Sequence, residues 1–246
     1  MTDVIVVDDV TFAYDERPAV ERVSMTVEEG EFLGLVGPNG SGKTTLLLLM
    51  LGVLEPDSGS IELFGQPVES FEDGYRIGYV AQRTGDGHSH MPVTVEEVVT
   101  MGRFAHIGIG RLREADREAV HEAMQTVGIT DLAGRRLNEL SGGQRQRAFI
   151  ARALASEADL LALDEPAVGV DAESRDAFYN LLDELNDDGI TVVLIEHDIG
   201  VVTDRVDMVA CINRTLFHHG DPESFLESDT LTAAYGRTSR VVQHDH

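Results

Sequence analysis

The stretch Gly37-Pro38-Asn39-Gly40-Ser41-Gly42-Lys43-Thr44 constrains the chain more than any other. It fits the pattern G-x-x-x-x-G-K-[ST], in which glycines let the backbone curl so that successive N–H groups converge on one anion. Its flanks agree. Glu31-Phe32-Leu33-Gly34-Leu35-Val36 reads as a buried strand leading in, and Thr45-Leu46-Leu47-Leu48-Leu49-Met50-Leu51 as a helix leading out. A helix starting at the loop adds the positive end of its dipole. In that setting Lys43 reaches the β- and γ-phosphates of a nucleotide, and the Thr44 hydroxyl ligates Mg²⁺. The competing reading is a glycine-rich turn with a surface lysine. Composition separates the two: Lys43 is the only lysine in 246 residues, and the rest of the Lys+Arg total is arginine. A solvated surface lysine would have gone with the others.

The length allows a sizeable core, and 42% hydrophobic with 26% charged residues is ordinary for a soluble globular protein. Cys211 is the one cysteine, which excludes an internal disulfide and a cysteine-built zinc site. Met1-Thr2-Asp3-Val4-Ile5 lacks the basic start and apolar run of a signal peptide. The longest apolar run, Leu46 to Leu54, is broken by Gly52 and is too short to span a bilayer. Any membrane role is therefore expected through a partner. The net charge of −25 disfavours nucleic acid as that partner.

Along the chain, Val4 to Tyr14 and Ala19 to Val27 read as strands, with Tyr14 as a half-buried strand aromatic. Glu55-Pro56-Asp57-Ser58-Gly59 is a turn, followed by short strands over Ser60 to Phe64 and Arg76 to Val80. Gln82 lies just past a strand end, where α/β sheets present ligand-facing side chains. Residues 85–158 read as a helical subdomain inserted into a sheet domain, with Thr94 as a helix N-cap and Arg113 to Val127 as a further helix. Within it, Ser141-Gly142-Gly143-Gln144 opens the helix Arg145 to Arg152. That start is either a second anion site, its first amides bare, or a simple serine cap. Leu160-Leu161-Ala162-Leu163 makes a central parallel strand that ends in Asp164-Glu165. Two adjacent carboxylates repel each other, a cost offset if Mg²⁺ holds one of them. Ala172 to Leu185 reads as a helix, Thr191 to Ile195 and Val206 to Asn213 as strands, and residues 213–246 as a tail with two short helical pieces. The fold class expected is α/β.

These motifs, in this order, resemble the nucleotide-binding subunit of ATP-binding cassette (ABC) transporters. The specific element is Leu140-Ser141-Gly142-Gly143-Gln144, between a phosphate loop and an acid-ended strand. The resemblance covers essentially the whole chain. It implies one ABC ATPase domain over residues 1–246: a phosphate-loop NTPase with a RecA-like sheet core and an N-terminal antiparallel β subdomain (1–84 and 159–212), a helical signature subdomain (85–158) and a tail (213–246). It implies ATP and Mg²⁺ as cofactors. Tyr14 then stacks on adenine, and Gly37, Pro38, Asn39, Gly40, Ser41, Gly42, Lys43, Thr44 and Thr45 wrap the triphosphate. Gln82 senses Mg²⁺ and the attacking water, Asp164 supports Mg²⁺, Glu165 is the general base and His197 contacts the γ-phosphate. Ser141, Gly142, Gly143 and Gln144 cover the nucleotide of a second copy, and Asp171 belongs to the dimer-contact loop Val168-Gly169-Val170-Asp171. The implied assembly is a homodimer with ATP sandwiched in its interface. It sits peripherally at the cytoplasmic face of the membrane on an integral permease, served by an external metal-binding protein.

Three stretches resemble the zinc/manganese importer branch of that family: Met91 to Arg103, Glu165 to Asp171, and Asn213-Arg214-Thr215-Leu216 through Ala233-Ala234-Tyr235-Gly236. Gly102-Arg103-Phe104-Ala105-His106 also suits the iron–siderophore, haem and cobalamin importers, which is the alternative branch. A non-transport ABC ATPase is a weaker alternative, because paired cassettes, long coiled-coil insertions and basic surfaces are not visible. His88, His90, His218, His219, His244 and His246 read as solvated polar residues rather than a metal sensor. Cys211 reads as strand packing, and Asp183-Glu184-Leu185-Asn186-Asp187-Asp188 as a solvated helix end. The acidic, nearly lysine-free composition resembles that of halophile proteins, whose carboxylates hold water where salt screens repulsion. Molar KCl should therefore raise both helical circular dichroism and activity over millimolar salt. Full structure and activity at millimolar salt, with no gain at molar salt, would contradict this.

Overall fold

The computed structural model describes residues 2–81, 92–107, 110–168 and 170–235. In chain order the strands and helices are β1 (Asp3–Ala13), β2 (Pro18–Glu28), β3 (Phe32–Val36), α1 (Lys43–Met50), β4 (Ser58–Leu63), β5 (Gln66–Pro67), β6 (Ile77–Val80), α2 (Val95–Thr100), α3 (Phe104–Ile107), α4 (Glu114–Thr126), α5 (Gly142–Ala155), β7 (Leu160–Asp164), α6 (Ala172–Asp187), β8 (Thr191–Ile195), α7 (Ile199–Thr203), β9 (Met208–Asn213), β10 (Thr215–Gly220), α8 (Pro222–Glu227) and α9 (Thr230–Tyr235). They form two compact units. One takes the chain up to Glu72 and from Thr191 onward; the other is Asp73–Ile190.

In the first unit, β2, β1, β4 and β5 make an antiparallel sheet, with Val6 opposite Thr26 and Val7 opposite Ile61. The second layer is built on β3. Its five residues are all buried, and it pairs in parallel with β8 (Leu33 opposite Val193) and with β9 (Leu35 opposite Ala210). Strands buried on both faces need apolar runs rather than alternation, which is what Phe32 to Val36 and Thr191 to Ile195 supply. The two layers of this unit pack around α1. Leu46, Leu47, Leu49 and Met50 are fully buried there, each contributing about 1.5–3 kcal/mol of burial free energy.

The tail holds a strand that the sequence reading did not anticipate. β10 runs antiparallel beside β9, with Thr215 opposite Asn213 and Gly220 opposite Val209. The chain reverses at Arg214, which adopts a left-handed φ of 65° without being glycine. No glycine marks the turn at Arg214, and Thr215 to Gly220 lacks clean alternation, so local pattern gave no signal. The two expected short helices, α8 and α9, follow it.

In the second unit, β6 and β7 pair in parallel, with Ile77 opposite Leu160. Gly78 lets α5 approach β6 closely, since a Cβ at this position would lie 2.3 Å from the Ala153 Cβ. α2 opens as the sequence suggests: the Thr94 hydroxyl accepts from the Glu97 amide, and the Glu97 carboxylate accepts from the Thr94 amide. The segment joining α2 to α3 is pinned to α5 by Arg103, a buried side chain (8% exposed). Its guanidinium donates to Asp116 (3.1 Å), to the Ala155 carbonyl (2.8 Å) and to Glu157 (2.6 Å). A buried cation needs this full set of partners.

Gly102, next to this clamp, has no room for a side chain: a Cβ would lie 2.2 Å from the Arg152 carbonyl oxygen on the α5 backbone. Gly102→Ala should cost about 1–3 kcal/mol, because neither helix backbone can yield cheaply. Differential scanning calorimetry should show a fall of several degrees in Tm, and an unchanged Tm would contradict this packing.

Candidate nucleotide site

In the first unit the loop between β3 and α1 is shaped by steric necessity. A side chain at Gly37 would bring a Cβ within 2.1 Å of the Ile212 carbonyl oxygen. Gly42, the N-cap of α1, sits at φ 99°, and its Cβ would come 2.3 Å from the Ala19 carbonyl oxygen. Only glycine satisfies both, and in doing so it brings the loop backbone against β2 and β9. The β9–β10 turn buttresses the loop from one side. Arg214 donates its amide to Ser41 O (2.7 Å), and its carbonyl accepts from the Glu21 amide (2.8 Å).

Lys43 is only 5% exposed. Its ammonium donates to the carbonyls of Gly37 (2.9 Å) and Pro38 (3.2 Å). Thr44 is exposed beside it at the start of α1, while Thr45 is buried. Ser41 is 1% exposed, and its Oγ finds no hydrogen-bond partner among the described residues. A buried ammonium held on the loop's own carbonyls, a helix start and an orphaned hydroxyl together fit a polyphosphate anion and its cation. The turn with a surface lysine does not match a side chain this buried.

Tyr14 follows β1 and is 61% exposed. The half-buried role expected of it is therefore corrected. Phe12 meets it edge to face, with ring centroids 4.9 Å apart, and so steadies a ring whose face is open to stacking. His197 follows β8 and is exposed, and its amide donates to the buried Glu196 carboxylate at 3.1 Å.

In the second unit Asp164 ends β7 and is 2% exposed. Burial, and then the Asp164 charge, raise the Tyr79 hydroxyl above its ordinary pKa. Glu165 follows at a left-handed φ of 48°, a conformation that costs a non-glycine residue of order 1–3 kcal/mol. The kink follows directly on the strand end at Asp164.

The start of α5 carries a capping box. Ser141 Oγ accepts from the Gln144 amide (3.3 Å), and Gln144 Oε1 accepts from the Ser141 amide (3.0 Å). The expectation of bare first amides is corrected in part: the serine is a cap, and it satisfies one of them. The Gly142 and Gly143 amides make no hydrogen bond among the described residues. Asp171 proves to be a cap as well, its carboxylate accepting from the Ser174 amide at 3.0 Å. That backbone bond holds its pKa below the ordinary value. Ideal Cβ positions at Gly142 and Gly143 lie 3.5 Å from Val170 and Ser174, so the α5 and α6 starts adjoin. Gln82, Gly169, His88, His90, His244 and His246 lie outside the described residues. Among the described residues no group of three His, Cys, Asp or Glu side chains could hold a metal ion. His218 instead packs its ring on Phe225, and burial lowers the pKa of His219. Cys211 is fully buried in β9, with its thiol pushed up to about 12 by burial.

A phosphate loop, buried lysine and parallel strands define a phosphate-loop nucleotide-binding protein. The family model described as ABC transporter matches residues 20–168. A zinc uptake system ATP-binding protein of Listeria innocua is 45% identical over 227 residues, covering 92% of this chain and 88% of that protein. A manganese transport system ATP-binding protein of Bacillus subtilis is 39% identical over 230 residues, covering 93% and 91%. Among solved structures, an ATP-binding cassette captured as a dimer after hydrolysis, bound to ADP and Pi, superposes with a TM-score of 0.74. It is 26% identical, over 89% of this chain and 98% of that one. The chain belongs to the ABC transporter family.

Lys43→Ala removes the loop's ammonium, and no other lysine exists to replace it. Isothermal titration should show ATP binding weakened at least roughly tenfold, given about 1.5–3 kcal/mol for a charged hydrogen bond. Undiminished affinity would show that the nucleotide is held elsewhere.

Proposed function

We propose that this chain is the ATP-hydrolysing subunit that powers import of a divalent metal ion, zinc or manganese, through a separate membrane permease. The observation that carries the metal-ion reading is the near full-length similarity to ATP-binding subunits named for zinc and for manganese. No described helix is long and apolar enough to cross a membrane; the subunit of this reading sits peripherally at the cytoplasmic face of the membrane. The transport path and an external metal-binding protein are then separate chains.

In this reading the chemistry needs little beyond positioning and charge neutralisation. Tyr14 stacks on the adenine. The amides from Gly37 to Thr45 wrap the triphosphate, and Lys43 moves from loop carbonyls to phosphate oxygens. Thr44, Gln82 and Asp164 are the residues that would hold Mg²⁺, which when bound neutralises charge on the phosphates. Glu165 accepts the proton of the attacking water as that water joins the γ-phosphorus and the bond to the β–γ bridging oxygen breaks, with ADP leaving; His197 and Gln82 orient the γ-phosphate and the water. The capped α5 start, with two donors to spare at Gly142 and Gly143, is suited to the γ-phosphate held by a second copy of the chain. Asp171, at the adjoining α6 start, belongs to the same contact. ATP binding then closes a homodimer and hydrolysis reopens it.

The helical segments offer a surface for the permease. A cavity of about 500 Å³ is lined by Val93, Glu96, Thr100, Met101, Phe104 and Leu112, among others. Phe104 is 56% exposed.

Glu165→Gln keeps the side chain's size and removes its basicity. ATP turnover should fall at least roughly a hundredfold, in line with a general base, and size-exclusion chromatography should show an ATP-dependent dimer. Turnover at the unmodified rate would remove Glu165 from the role of base.

A further inference from the structure

Tyr14 is the first residue past β1, and its place depends on how that strand ends. The pairing of β1 with β4 stops at Thr11 opposite Ser58, short of the strand's last residue, Ala13. On the β2 side Ala13 faces Pro18, which has no N–H to donate. Asp57, just before β4, carries the sheet on. Its amide donates to the Thr11 carbonyl at 2.9 Å, and its carboxylate Oδ2 accepts from the Ala13 amide at 2.8 Å. One side chain thus supplies the rung that β4 does not reach. Thr11 ties the same stretch to β2, its hydroxyl accepting from the Arg22 amide at 3.0 Å. Phe12, between these two anchored residues, is the ring that meets Tyr14 edge to face.

We propose that Asp57 is a positioning residue for the base of the nucleotide: by fixing the peptide between Phe12 and Ala13, it holds the Tyr14 ring where an adenine can stack. A carboxylate that accepts from a backbone amide makes a stronger bond than a neutral acceptor does, which suits a strand end with no strand beside it. A stacking platform held in place before the nucleotide arrives avoids an ordering cost on binding. The inference rests on Tyr14 being the adenine platform, and Tyr14→Ala tests that reading separately.

The experiment compares Asp57→Asn, which keeps an acceptor oxygen, with Asp57→Ala, which keeps none. Both remove the charge, so its effect on a polyphosphate cancels between them. Isothermal titration reports Kd for ATP and for inorganic tripolyphosphate, which has no base to stack, and calorimetry reports Tm. Asp57→Ala should bind ATP roughly 3- to 10-fold more weakly than Asp57→Asn, the range of one neutral hydrogen bond, and tripolyphosphate equally well. In a Tyr14→Ala background the two variants should bind ATP alike, because the ring they position is gone. Equal ATP affinity in Asp57→Ala and Asp57→Asn overturns the proposal, whatever happens to Tm, and leaves the Tyr14 reading standing where Tyr14→Ala itself loses affinity. A loss shared equally by tripolyphosphate also overturns it, because general loosening of the site would then explain the effect. Undiminished ATP affinity in Tyr14→Ala overturns the stacking reading and this proposal with it.

Discussion

The structure around the loop depends on a buried ammonium. A cation taken out of water must be met by dipoles or counter-charges, and Lys43 is met by the Gly37 and Pro38 carbonyls. Those carbonyls point inward only because Gly37 and Gly42 let the backbone pass against Ile212 and Ala19 without side chains. That close passage in turn requires β2 and β9 to lie where they do, so the loop's shape is a property of the unit and not of eight residues alone. The same carbonyls form a weaker host than phosphate oxygens, because dipoles attract a cation less strongly than charges do. A lysine held on such dipoles suits the exchange of partners that its proposed role requires.

The second unit is organised by helix starts and one strained residue. Ser141 and Asp171 cap neighbouring helices through their side chains, and a cap fixes where an N-terminus points. Rigid helix starts suit a surface that must meet another molecule in one geometry. Glu165, at left-handed φ after a fully buried strand, is held by its surroundings in a conformation it would not choose in isolation. Strain of that kind collects at working residues, which is consistent with the base proposed there.

Much of this was legible in the sequence because the signals are local. The loop pattern, the apolar runs of β3, β7 and β8, and the Thr94 cap all depend on residues within a few positions of one another. What was missed is non-local. β10 is a strand because β9 offers an edge and Arg214 accepts an unfavourable turn, and neither fact shows in Thr215 to Gly220. The exposure of Tyr14 depends on Phe12 and on the end of β1. The Arg103 clamp joins residues about 50 positions apart, 103 with 155 and 157, and pairs a buried cation with acids that read as surface charge. The family resemblance implies a contact role for Asp171, and nothing in that resemblance reveals that its carboxylate caps α6.

The central claim is that ATP turnover by this chain drives a divalent metal ion through a permease. The most direct measurement is metal uptake into proteoliposomes that hold the permease, with this subunit and ATP in the lumen, on the permease's cytoplasmic side, and the metal-binding protein outside. The account predicts accumulation of zinc or manganese that requires ATP and stops when Glu165→Gln replaces the native subunit. Uptake of iron–siderophore, haem or cobalamin in place of either ion, or metal uptake indifferent to that substitution, would contradict it.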